Sequence, residues 1–168
     1  MTTENPFVFG KAVEGTFFTD RTEDAKRLTA NLGHGINTIL ISPRRWGKTS
    51  LVKKILPDID KPKIKPVFID IFQCKSEYDF YHAFATAVIK QTSSRLEEWV
   101  EMTKTFLSNI SPKFSFGSDP TNDFSISFEW NPKDDTEINI LQLPENIAQK
   151  KNIHLVVCLD EFQQVADF

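Results

Sequence analysis

Two short clusters in this chain carry the residue types that phosphate chemistry uses. The first is ISPRRWGKTSL, residues 41–51, and the second is HLVVCLDE, residues 154–161. Gly47-Lys48-Thr49 matches the tail of the pattern G-x-x-x-x-G-K-[ST]. In that pattern a loop curls its backbone N–H groups around phosphate at the start of a helix. The glycine before the lysine keeps a side chain out of the path of the phosphates. The lysine reaches the β- and γ-phosphates, and the hydroxyl residue ligates Mg²⁺. Gly47, Lys48 and Thr49 fit those tasks, with Ser50 following in the first helical turn. Ser42 stands where the pattern starts with glycine. That position begins the turn, so serine serves there if its φ stays negative, and Pro43 has a φ already suited to a turn.

The second cluster ends an apolar run with two adjacent carboxylates. Neighbouring side chains on a strand point to opposite faces, so the two acids can take different tasks. Asp160 suits a ligand of Mg²⁺, through water, and Glu161 suits a base that orients and deprotonates an attacking water. A strand end also carries such acids as plain surface charge. A phosphate loop upstream makes the pair specific to a nucleoside triphosphate site.

Other residues of the same region admit two readings. Arg44 and Arg45 are either a clamp for phosphate or an acidic partner, or solvated loop residues. Trp46 either stacks on a base or, as the preferred reading, packs on a neighbouring helix. Phe17 and Phe18 are candidates for an adenine pocket or for core packing. Asp70, within FIDIF, reads as a structural residue at a strand end rather than a site residue. His34, His82 and His154 show no metal-ligand spacing among themselves or with the cysteines. Cys74 and Cys158 lie far apart in apolar surroundings and read as small core residues.

These groups need elements to hold them. Asp20-Arg21-Thr22-Glu23 has the form of a capping box before a short helix over DAKRLTANL, closed near Gly33. INTILIS, residues 36–42, is β-branched and reads as a buried strand leading into the phosphate loop. TSLVKKIL then reads as a helix stopped at Pro57. KPVFIDIF is a second strand, ending near Cys74. Ser76 caps a long helical pattern with Phe80, Phe84 and Val88 on one face, broken around Thr92-Ser93-Ser94. Residues 112–131 alternate strictly, with Phe114 and Phe116, then Phe124, Ile126, Phe128 and Trp130 on one side. That predicts a β-hairpin with one apolar face, suited to cover the chain's own helices or, less favoured, to dock a partner. A helical segment around TEINILQL, interrupted at Pro144 and continued in ENIAQ, leads to the strand NIHLVVCLDE. Strands alternating with helices predict an α/β fold with a mainly parallel sheet.

Composition narrows the function classes. The chain has 168 residues, enough for a domain with a core, and a net charge of −3 with a pI near 5.6. That balance argues against a protein held mainly by nucleic-acid phosphates. No apolar run approaches the ~20 residues that span a bilayer, and MTTENPFVFG lacks the layout of a secretory signal. No membrane association and a cytoplasmic location are therefore expected.

Together, ISPRRWGKTSL and VVCLDEFQQVADF resemble the archaeal-type P-loop ATPases, AAA-like domains near the signal-transduction NTPases. FFTDRTEDAKRL resembles the stretch before their first helix, which packs beside the nucleotide base. The resemblance implies a three-layer α/β/α P-loop fold binding ATP and Mg²⁺. Residues 42–50 would form the Walker A loop, Asp160 with Thr49 the metal site, and Glu161 with Lys48 the catalytic groups. ATP rather than GTP rests on this resemblance alone. Relatives continue past the acidic pair with a sensor strand, which lies between the phosphate-loop strand and the acidic strand, then a lid and commonly a winged-helix domain. The chain is accordingly expected to be a fragment, the N-terminal part of such a domain with the 112–131 hairpin inserted. It would bind nucleotide with slow or negligible turnover, since no sensor or arginine finger is recognisable. In the complete protein the expected activity is Mg²⁺-dependent ATP hydrolysis. The alternative is a nucleotide-dependent switch that binds an unknown protein partner. DNA would be reached only through a missing C-terminal domain.

Overall fold

The computed structural model describes residues 21–93, 98, 100–102, 112–116, 124–128 and 136–168. The chain divides into two compact units, Met1–Ile64 and Lys65–Phe168.

The first unit is built on two helices, α1 (Thr22–Gly33) and α2 (Lys48–Ile59). Leu51, Ile55 and Ile59 recur every four residues along α2, which puts them on one face, and all three are buried. Leu51 and Ile55 meet Leu28 of α1, with Ala25, Leu32, Leu40 and Val52 packed around them. The capping box takes a different form from the expected one. Arg21 is the N-cap and no side chain caps the helix. Glu23 instead pairs with Lys26 at 2.8 Å, and Asp20 lies outside the described residues. Pro57 does not stop α2, which continues to Ile59. In the last turn a proline removes a single helical hydrogen bond, and burial of Ile59 offsets that loss.

Residues 36–42 correct the strand expectation. The segment has no strand assignment, and Ile39 and Ile41 are 86% and 91% exposed. Leu40, between them, turns the other way onto the α1–α2 core. The alternation of an extended chain is therefore present, but no strand among the described residues pairs with it. A β-branched run becomes a strand only when a neighbouring strand takes up its backbone hydrogen bonds.

The second unit contains β1 (Ile64–Asp70), α3 (Glu77–Thr92), β2 (Pro112–Phe116), β3 (Phe124–Phe128), α4 (Thr136–Lys151) and β4 (His154–Asp160). β1 pairs with β4 in a two-stranded parallel sheet, so the class is mixed α/β. Ser76 caps α3 as its position predicted: its hydroxyl accepts from the Asp79 N–H at 3.2 Å, and the Asp79 carboxylate accepts from the Lys75 N–H at 3.0 Å. Phe80, Phe84 and Val88 form the buried face of α3. The helix ends at Thr92, whose hydroxyl donates back to the Val88 carbonyl at 2.7 Å.

Pro144, expected to interrupt, sits inside one continuous α4. Ile140, Leu143 and Ile147 share its inner face and are completely buried. Each such burial contributes about 1.5–3 kcal/mol, and the three together exceed the ~3 kcal/mol cost of an interior proline. Lys151, in the last turn of α4, donates to the Thr92 carbonyl and pairs with Glu98 at 3.5 Å, tying α4 to the end of α3. The hairpin is antiparallel, with Phe114 opposite Ile126 and Phe116 opposite Phe124, and β3 runs beside α3. The apolar face read there, and Glu129 and Trp130 with it, lies outside the described side chains.

Candidate phosphate loop and acidic strand end

The loop before α2 turns through two left-handed residues. Arg45 has φ 66° and Gly47 has φ 70°. Gly47 is the N-cap of α2, and no side chain caps the helix there. Glycine is favoured at this position by conformation, because left-handed backbone costs any residue with a Cβ roughly 1–2 kcal/mol. Space is not the constraint from the protein side: a Cβ built on Gly47 would meet no atom within 4 Å. Ser42 keeps a negative φ, as a serine in that position must.

A helix start presents N–H groups that the helix itself cannot satisfy. Those of Gly47 and Lys48 have no hydrogen-bond partner among the described residues. The Lys48 ammonium lies over the loop, donating to the Ser42 carbonyl at 3.2 Å and more weakly to the Pro43 carbonyl at 3.5 Å. The Ser42 hydroxyl is buried and without a partner among the described residues. Thr49 and Ser50 stand in the first turn of α2, and Ser50 is buried. Arg44 and Arg45 are both exposed. The cradle therefore combines unsatisfied N–H donors, a helix dipole and a lysine held by exchangeable carbonyl contacts. Those donors fit an anion such as a phosphate chain.

Trp46 departs from the preferred reading. Its side chain is not packed on a helix but 66% exposed. Its carbonyl is engaged instead: Arg21 Nη1 donates to it at 2.9 Å, while Arg21 Nε donates to Asp24 at 2.9 Å. Sequence reading gave Arg21 no task in the loop. The two residues are 25 positions apart, and a side chain reaching a distant carbonyl leaves no spacing pattern.

In the second unit, Asp160 closes β4 and Glu161 follows with φ 55°. An Asp160 carboxylate oxygen accepts from the Glu161 N–H at 3.1 Å. The Glu161 carboxylate accepts from the Gln163 side-chain amide, and its carbonyl accepts from the Gln164 N–H at 3.0 Å. Asp70 ends β1, the strand paired with β4, and accepts from the Phe72 N–H at 3.0 Å. That is the structural task the sequence suggested. No cluster of three His, Cys, Asp or Glu side chains suited to a metal occurs among the described residues. Burial raises the pKa of Cys158, and that of Cys74 with help from Asp79 and Asp70. Cys74 is buried in the core as it was read to be, whereas Cys158 is half-buried. The adenine-pocket candidates Phe17 and Phe18 lie outside the described residues.

The structure thus places residues 42–47 in the loop and 48–50 in the first turn of α2 in the first unit, and Asp160 and Glu161 at the end of a paired strand in the second. Comparison with protein-family models, with curated proteins and with solved structures finds no match in any of the three.

Proposed function

We propose that this chain binds ATP with Mg²⁺ through residues 42–50, as a P-loop ATPase module of three-layer α/β/α type. One observation carries the reading: α2 starts uncapped behind a left-handed Gly47, with two N–H donors unsatisfied among the described residues and the Lys48 ammonium held on the Ser42 carbonyl of the same loop. Lys48 would leave its carbonyl contacts for the β- and γ-phosphates, and Arg44 and Arg45 stand exposed on the same loop. Thr49 and Asp160 would hold Mg²⁺, which would neutralise charge on the phosphate oxygens. For hydrolysis, Glu161 would take a proton from water as its oxygen bonds to the γ-phosphorus and the bond to the β-phosphate oxygen breaks, leaving ADP and phosphate.

A second reading, a nucleotide-dependent switch for a protein partner with little turnover, has one observation in its favour. The Glu161 carboxylate is already taken by Gln163, so that contact must break before the carboxylate can orient a water.

Calorimetric titration of the chain with Mg²⁺-ATP tests the first reading, with circular dichroism to show folding and Lys48→Ala as control. Binding that falls roughly 10- to 100-fold in the mutant is expected, the equivalent of a charged hydrogen bond at about 1.5–3 kcal/mol. No binding by a folded chain would reject it. Glu161→Gln then separates the two readings: loss of single-turnover hydrolysis supports the ATPase, and unchanged turnover supports the switch.

A further inference from the structure

We infer that Arg21 is a positioning residue for the phosphate loop, acting through the Trp46–Gly47 peptide rather than on the nucleotide itself. The inference rests on the nucleotide reading above and extends it to a residue outside the G-x-x-x-x-G-K-[ST] pattern.

The peptide is trans, as are all the described peptide bonds, so its C=O and N–H point to opposite sides. Arg21 Nη1 holds the Trp46 carbonyl at 2.9 Å. The Gly47 N–H, one of the two unsatisfied donors at the start of α2, is therefore turned to the side away from Arg21. An anion taken by that N–H sits across the peptide from the guanidinium. The cation on the carbonyl also polarises the peptide and makes its N–H a better donor, since hydrogen bonds in a chain strengthen one another.

The guanidinium is itself held in orientation. Its Nε donates to Asp24 at 2.9 Å while Nη1 serves the carbonyl, and the Arg21 side chain is only 28% exposed. This fork uses two nitrogens fixed in one plane, which a lysine cannot reproduce. The peptide so held lies between the left-handed residues Arg45 and Gly47. Such a turn has several competing conformations, and an external tie selects one of them. Arg21 is the N-cap of α1, and Asp24 stands in its first turn. The start of α1 therefore governs the aim of a donor at the start of α2.

The test compares the native chain, Arg21→Gln, Arg21→Lys, Asp24→Asn and Lys48→Ala by Mg²⁺-ATP calorimetry, thermal melting, and amide hydrogen exchange at residues 43–50 without nucleotide. Arg21→Gln is expected to weaken ATP binding about tenfold, the size of one net hydrogen bond. It should also speed loop exchange while leaving the melting temperature close to native. Arg21→Lys should fail to restore affinity, and Asp24→Asn should lose roughly two- to threefold. Native affinity in Arg21→Gln, or full rescue by lysine, would overturn the inference. Should Arg21→Gln not fold, native affinity and exchange in Asp24→Asn would overturn it equally. If the native chain binds no ATP, the nucleotide reading fails. Loop exchange then still decides the tie: equal rates in native and Arg21→Gln protein reject it.

Discussion

INTILIS, residues 36–42, and HLVVCLD, residues 154–160, are both short, largely apolar runs that lead directly into candidate site residues, yet only the second becomes a strand. HLVVCLD lies beside β1, and Val156 is buried. INTILIS buries Leu40 partly on one side and leaves Ile39 and Ile41 open on the other. Their intrinsic preferences are alike. What separates them is a neighbour: strand propensity is largely a measure of packing and pairing against adjacent chain. The loop that follows does not need the ladder in order to turn. The left-handed residues Arg45 and Gly47, the start of α2 and the Arg21 tie shape that turn, so it forms although no strand among the described residues pairs with the segment before it.

The contrast can be broken most directly by truncating one isoleucine on each side. Ile69→Ala in β1 removes a buried side chain from the second unit's core and should cost about 2–5 kcal/mol in urea denaturation. Ile41→Ala removes an exposed one and should change stability by no more than ~0.5 kcal/mol. Equal losses would mean that Ile41 is buried in solution.

A smaller effect is expected at the turns. Gly47→Ala introduces a Cβ at φ 70° with no steric neighbour, so its cost is conformational alone, about 1–2 kcal/mol. The same denaturation measurement reads it. No loss would show that the loop leaves the left-handed conformation in solution. Arg45 and Glu161 already have such a conformation with full side chains, each at a cost of the same order.

The smallest effect is a pH dependence confined to the second unit. His82 is partly buried, and burial lowers its pKa, against a smaller opposing pull from Asp79. With the folded pKa below the unfolded one, the unfolded chain binds the proton first as pH falls. Stability is therefore complete above the ordinary histidine range and declines as pH drops through it toward the lower folded value. Asp79, its pKa lowered chiefly by the Lys75 N–H and then the Ser76 hydroxyl, adds a loss at more acidic pH. His82→Gln should flatten the decline just below neutrality and leave the acidic one. An unchanged profile would remove His82 as its source.

Much of this arrangement was legible in the residues. The Ser76 cap, the Phe80–Phe84–Val88 face and the presence of the hairpin follow from periods and caps that act over a few residues. The glycine, lysine and hydroxyl of the loop stood out because the tasks proposed for them demand specific residue types at fixed spacing. Pro57 and Pro144 misled for a physical reason. A proline's local cost follows from its position in the helix, but the burial that opposes it depends on what the helix packs against. Trp46 misled similarly, since its ring is exposed and its carbonyl does the structural work.

The sequence by itself therefore determined the local features: the left-handed glycine ahead of Lys48, the α3 cap, and the alternation of the hairpin. Each depends on backbone dihedrals and side chains within a few positions. Tertiary structure alone decided which apolar run would pair as a strand, whether a helix would run through its proline, and that Arg21 would hold the Trp46 carbonyl. Those outcomes depend on groups far apart in the chain, whose meeting is set by the free energy of the packed whole.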